Sequence, residues 1–118
     1  MAAHNDLGEV GEQLAVEHLT QKGYQILAKN WRYGRAEVDI IAKWKEILVF
    51  VEVKTRSDNY FGEPETFVTQ QKMEMMTSVA SVFMEEINHD WEYRFDVISV
   101  IIRKGKNYIK HIEDAFWL

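Results

Sequence analysis

Ile47-Leu48-Val49-Phe50-Val51-Glu52-Val53-Lys54-Thr55-Arg56, read with Ala36-Glu37-Val38-Asp39-Ile40-Ile41 just upstream, decides the fold of this chain. The apolar run from Ile47 to Val51 suits a strand buried on both faces, as in the middle of a sheet. Only Lys45 and Glu46 separate it from a second strand, Glu37 to Trp44, which predicts a tight hairpin. Centring the turn there sets Asp39 opposite Glu52 to within one residue of register. Alternate side chains of a strand share a face, so Glu52 and Lys54 project beside Leu48 and Phe50. That face passes abruptly from core to charge.

On the N-terminal side, Leu7, Val10, Leu14, Ala15 and Leu19 recur at helical spacing, and Gly23 suits the end of a helix from Leu7 to Lys22. Tyr24 to Trp31 alternates as a strand, and Arg32 to Arg35, with Gly34, makes a tight connection. On the C-terminal side, Ser57 to Glu65 holds the sole proline, Pro64, among loop-forming residues. A second helix is expected from Thr66 to Asn88, with Met76, Val79, Phe83 and Ile87 along its buried stripe and Val68 and Met75 at the edges. Tyr93 to Ile102 reads as a fourth strand and Asn107 to Glu113 as a fifth, joined through Gly105. The order α-β-β-β-α-β-(β) predicts a single α/β domain over residues 1–118, a mixed sheet flanked by helices. Three strands form an antiparallel meander, and the second helix returns the fourth strand parallel to a neighbour.

Composition narrows the chemistry. The absence of cysteine removes disulfides and thiolate metal ligands. Met1 to Glu9 lacks the basic and apolar segments of a signal peptide, and Ile47 to Val51 is too short to cross a bilayer. The expectation is a cytoplasmic protein with no membrane partner. A formal net charge of −5 argues against a nucleic-acid partner on average. A site rich in carboxylates would contribute to that charge, and a bound metal would invert it locally. Lys29, Arg32, Arg35, Lys43, Lys45, Lys54 and Arg56 form a candidate basic cluster around the central hairpin.

Ionised groups next to a core cost several kcal/mol, on the order of what pairing or a metal must offset. Glu52 with Lys54 alone reads equally as a surface ion pair at a strand end. Asp39, flanked by Val38, Ile40 and Ile41, adds a second acid on the adjacent strand. Two carboxylates meeting there would repel unless a cation neutralised them. Oxygen ligands with open positions suit Mg²⁺ or Mn²⁺. Glu12 borders the sheet-facing stripe of the first helix, where it reads either as a third acid or as an N-terminal dipole partner. His4, His18, His89 and His111 are scattered and read as surface or cap residues. Met73, Met75 and Met76 read as core and helix flank, and Trp31, Trp44, Trp91 and Trp117 as packing residues. Phe116-Trp117-Leu118 could dock on the domain or cover a partner.

Gly11-Glu12 with Leu14-Ala15, Ala36-Glu37-Val38-Asp39-Ile40-Ile41 and Val49-Phe50-Val51-Glu52-Val53-Lys54-Thr55-Arg56 resemble the bacterial YraN-like family of predicted endonucleases. Arg94-Phe95-Asp96-Val97-Ile98 matches a late strand of that family. The family resembles the PD-(D/E)XK, or restriction-endonuclease-like, superfamily, and in particular the archaeal Holliday junction resolvases. The resemblance implies a restriction-endonuclease-like core and metal-dependent phosphodiester hydrolysis in DNA, of branched or structured form. It implies Asp39, Glu52 and the Val53 carbonyl as metal ligands and Glu12 as completing the acidic cluster. Lys54 would position water or stabilise the phosphate. Arg35 and Arg56 are candidate substrate contacts, as is Lys72, which falls where related resolvases place a glutamine, or Gln71 if the match slips by one. Ala36 replaces the family's usual glycine. Junction-resolving relatives pair as dimers, so a homodimer suits a two-strand cut. The other reading, from a different class, is a nucleic-acid-binding or protein-interaction module with a nuclease fold and little or no catalysis.

Overall fold

A computed structural model describes residues 3–57 and 67–116, with side chains from Leu7 onward. The elements are α1 (Ala3–Gln21), β1 (Gln25–Tyr33), β2 (Ala36–Trp44), β3 (Ile47–Arg56), α2 (Gln70–Glu86), β4 (Tyr93–Arg103) and β5 (Lys106–Phe116). They build one mixed sheet in the order β1-β2-β3-β4-β5. β3 and β4 run parallel, and every other neighbouring pair is antiparallel. The expected meander and crossover are both present. A parallel neighbour needs a long return connection, and α2 supplies it. Most of the expected loop after β3, from Asp58 through Pro64 to Glu65, lies outside the described residues, as do Trp117 and Leu118.

Local chemistry sets the helix limits. Gly23, at φ +92°, ends α1: Tyr24 N–H donates to Leu19 O at 3.0 Å and Gly23 N–H to Thr20 O at 3.1 Å. This paired closure needs a left-handed residue, which glycine adopts without a Cβ penalty. α2 closes the same way through Asn88 (φ +57°), with His89 N–H donating to Met84 O at 2.8 Å. Its start is a correction: the helix begins at Gln70, not Thr66. Thr69 is extended, and its hydroxyl accepts from Lys72 N–H, so Thr69 is the cap and cannot itself be helical.

Each helix covers one face. Ala15 and Leu19 of α1 pack with Ile40, Ala42, Val49, Val51, Ile98 and Val100. Met76, Val79, Ala80 and Phe83 of α2 pack with Val38, Ile41, Leu48, Phe50 and Phe95. β3 is thus buried on both faces, odd residues under α1 and even under α2, and Glu52 and Lys54 emerge on the α2 side. Two expected stripe residues are exposed: Val10 at 47% and Ile87 at 45%. Ile87 is the C-cap of α2, beyond the last turn that packs. Midway along α1, Gly11 faces the sheet in place of Val10. Trp31 lies edge-on to Phe83 and Trp44 stacks on Tyr24, so both pack as expected. Met76 is buried, and Met73 and Met75 are half-buried beside it. No helix among the described residues is long and apolar enough to cross a membrane.

Candidate active site

The β2–β3 ladder stops one step short of the acids. Its last pair on this side is Ile40↔Val51, and the next step sets Asp39 against Glu52, the register expected from the turn. Asp39 then does the ladder's work with its side chain: Val53 N–H donates to Asp39 Oδ2 at 2.8 Å. Strand alternation breaks at the same point. Val38 packs under α2 while Ile40 packs under α1, although strict alternation would put them on one face. On β1, Asn30 lies opposite Asp39, between the pairs Lys29↔Ile40 and Trp31↔Val38, in the left-handed region at φ +52°. Asparagine tolerates that region better than most residues. The break aims the Asp39 carboxylate at the β3 backbone. Because a strand residue sends its N–H and C=O to the same neighbour, the Val53 carbonyl faces the Asp39 side as well.

Glu52 completes the pair. Its side chain is 15% exposed, and Lys72 Nζ approaches its Oε1 at 3.4 Å. That oxygen is nonetheless buried without accepting a hydrogen bond; the ammonium is close but not aligned. Asp39 and Glu52 lie close enough that each affects the ionisation of the other. Burial, and then the Asp39 charge, push the Glu52 carboxyl up to about 7. Burial raises Asp39 too, against the opposing pull of the Val53 N–H. Two carboxyls forced together in a sheltered site hold a proton that solvent-exposed acids would release.

Glu12 reaches this region from α1 because Gly11 lets the helix close on β3. A Cβ at Gly11 would overlap Thr55 Oγ1 and lie 2.7 Å from its Cγ2 and 2.8 Å from its Cβ. Gly11→Ala therefore gains helix propensity of about 1 kcal/mol but meets an overpacking penalty of about 1–3 kcal/mol. With the Thr55 Cβ itself in the way, a net loss is expected in urea unfolding. The Glu12 carboxyl is raised by burial and by the Asp39 charge, with Asn30 opposing. A cleft of about 760 Å³ between α1 and β1 touches the site only through Glu12 and Asn30, and Glu9 and Glu17 also line it. Lys29 lines it too, so the cleft is acidic on balance and a poor phosphate site. Among the described residues, no three His, Asp or Glu side chains already form a metal-holding group; the close unit is the Asp39–Glu52 pair.

Of the other expected residues, Lys54 shares the Glu52 face, and its Nζ lies 5.6 Å from the centre of the Phe67 ring. Lys72 faces Glu52 while Gln71 is exposed, so of these two α2 residues it is Lys72 that reaches the acids. Arg35 is exposed in the β1–β2 turn at this sheet end, and Arg56 Nη1 donates to Thr55 O at 3.0 Å. The candidate basic cluster does not hold together. Lys43 and Lys45 belong to the far end of the hairpin, where Lys45 Nζ sits over the Trp44 ring at 4.6 Å. Sequence reasoning passed over Asn30 and Glu37. Asn30 was legible as the strand residue most tolerant of positive φ. Glu37 raises both Glu12 and Asp39 and is itself bound by Arg32 Nε at 2.7 Å.

A second charged group lies under α1. Asp96, fully buried, accepts from Arg94 Nε at 2.8 Å, Arg94 Nη2 at 2.9 Å, His111 Nε2 at 2.7 Å and Asp114 N–H at 3.0 Å. His111 Nδ1 meets His18 Nε2 at 3.2 Å. The expectation that His18 and His111 are surface or cap residues is corrected: the sheet brings His111 against the α1 end. His89 is 7% exposed at the closure of α2, a cap as expected.

Comparison with known proteins places the chain among relatives. The model of the uncharacterised protein family UPF0102 matches residues 11–100. The chain belongs to the UPF0102 family. The UPF0102 protein FP2501 of Flavobacterium psychrophilum is 47% identical over 117 residues, covering 99% of this chain and 98% of the relative. A UPF0102 protein of Christiangramia forsetii is 48% identical over 117 residues, covering 99% and 98%. One from Bacteroides thetaiotaomicron is 44% identical, covering 99% and 97%. The UPF0102 match spans every element that builds the site, from Gly11 on α1 to Val100 on β4.

Proposed function

We propose that this UPF0102 protein is a metal-dependent endonuclease of restriction-endonuclease-like architecture, hydrolysing phosphodiester bonds in DNA of branched or structured form. One observation carries the reading. Asp39 and Glu52 are brought together at a sheltered sheet end, and Glu52 Oε1 is buried without a hydrogen bond. Such an oxygen costs about 1–3 kcal/mol or more to leave unsatisfied. A fold under selection for stability alone has a simple remedy in an amide or apolar side chain.

The donor set fits Mg²⁺ or Mn²⁺, since both acids and the Val53 carbonyl offer hard oxygens, and Glu12 would complete the acidic cluster through a bound water. When bound, such an ion would polarise a phosphate oxygen and acidify a bound water. The chain's own residues supply the rest. Lys54, on the same face as Glu52, holds positive charge toward the phosphate and acts as an electrostatic clamp rather than a base. Arg35 and Arg56 stand at the same sheet end to receive the DNA backbone. A homodimer would place two such ends for paired cuts and belongs to the proposal. A cytoplasmic location, where such DNA is met, belongs to it too.

The test is a panel of single-stranded, duplex, flap and four-way-junction DNAs, with matched RNAs, incubated with Mg²⁺ or Mn²⁺. Cleavage of DNA that needs the metal and leaves 5′-phosphate and 3′-hydroxyl ends is expected. Binding without cleavage of any substrate would overturn catalysis in favour of a binding module that kept the fold.

A further inference from the structure

We propose that Lys72 is a resident counter-ion for the carboxylate pair, which a divalent cation must displace in order to bind. The inference rests on the metal-centre reading above and adds to it which residue sets metal affinity. Lys72 Nζ lies 3.4 Å from Glu52 Oε1, with the lysine side chain 29% and the glutamate 15% exposed. Yet the oxygen accepts no hydrogen bond, so the contact is charge beside charge and not a directed bond. The oxygen that the ammonium neutralises is the one the metal reading needs.

The place of Lys72 in its helix is the second observation. It lies in the first turn of α2, where its own N–H is bound by the Thr69 hydroxyl. No acid occupies that turn. The positive end of a helix dipole favours anions and disfavours cations, so helix stability does not explain a lysine there. Neutralising the acids does. Its charge lowers the proton affinity of both Asp39 and Glu52. A divalent ion on Glu52 Oε1 would meet this ammonium at short range in a sheltered site, where like charges repel strongly. The flexible four-carbon stem of lysine allows the head group to leave.

Mn²⁺ binding to the metal-free protein, measured by calorimetry at pH 8 without nucleic acid, tests this directly. Lys72→Gln is expected to bind Mn²⁺ about tenfold more tightly than wild type, as removal of a nearby like charge requires. Lys72→Arg, which keeps the charge, is expected to stay within about twofold of wild type. Equal or weaker binding by the glutamine variant, with unchanged circular dichroism, overturns the counter-ion role and leaves the metal centre standing. Tighter binding by both variants also overturns it, since shape and not charge would then be the cause. Failure of wild type and both variants to bind Mn²⁺ overturns this inference and the metal centre together.

Discussion

Glu52→Gln is expected to stabilise the metal-free protein at pH 8 while reducing metal-dependent cleavage by roughly 10²–10³-fold. Both effects have one origin. The Glu52 carboxyl is raised from 4.5 to about 7 in the folded protein, so the folded state resists its ionisation. Below pH 4.5 the group is protonated in folded and unfolded chains alike and its full contribution to stability is present. As pH rises toward 7 the unfolded chain ionises first, and up to about 3 kcal/mol of stability is lost. A glutamine keeps the shape but cannot ionise, so its advantage should be largest above pH 7 and vanish near 4.5. His18 works in the opposite direction: burial and the His111 charge lower it from 6.5, so its contribution is lost as pH falls through that range. With Glu52 removed, the pH dependence between 4.5 and 7 should therefore tilt toward loss on acidification. Thermal melts of both proteins across pH 4–8 check this, and a shift of roughly 5 °C or more at pH 8 is expected. Asp39→Asn should match the loss of cleavage, because it removes the other carboxylate of the proposed metal centre.

Asp96→Ala has the largest expected cost to the fold, about 3–5 kcal/mol. The Arg94 side chain is 11% exposed and that of His111 4%, so deleting the acid strands the Arg94 guanidinium and the His111 ring nitrogen in the interior. Asp114 N–H loses its acceptor as well, at a bulge where the β4–β5 register shifts between Phe95 and Val97. Asp96 and Asp39 thus play the same backbone role, each taking an N–H where a ladder is irregular. Their charges differ in consequence. Asp96 is held below its ordinary 3.8 because its His111, Arg94 and Asp114 partners outweigh burial; Asp39 is raised. Asp96 therefore stabilises above pH 3.8 and loses that contribution as pH falls below it. Urea unfolding at pH 7 should rank Asp96→Ala far below wild type and Glu52→Gln above it. A small loss for Asp96→Ala would contradict the network.

The arrangement of the sheet was legible because two periods spoke clearly. The unbroken apolar run of β3 gave a central strand, and the gap at Lys45-Glu46 gave both the hairpin and the Asp39–Glu52 register. The start of α2 was misjudged because only the extended backbone of Thr69, not its residue type, marks it as the cap. Val10 was misassigned because a glycine at a helix–sheet contact carries no hydrophobic signal, yet it is Gly11 that the sheet selects. The Asp96–Arg94–His111 group was missed for a different reason. Arg94 and Asp96 share β4 while His111 lies on β5, and a two-residue Arg-x-Asp spacing says nothing of a histidine fifteen residues on. Nothing in the sequence pattern announces the loss of alternation between Val38 and Ile40, opposite Asn30. That break is what turns the carboxylate toward β3.

Crystals grown or soaked in Mn²⁺, examined for anomalous density at the β2–β3 sheet end, test the central claim most directly. A peak bonded to Asp39 and Glu52 at roughly 2.0–2.3 Å, with the Val53 carbonyl beside it, is expected. No peak at saturating Mn²⁺, or peaks only elsewhere on the molecule, would contradict the metal centre and with it the nuclease.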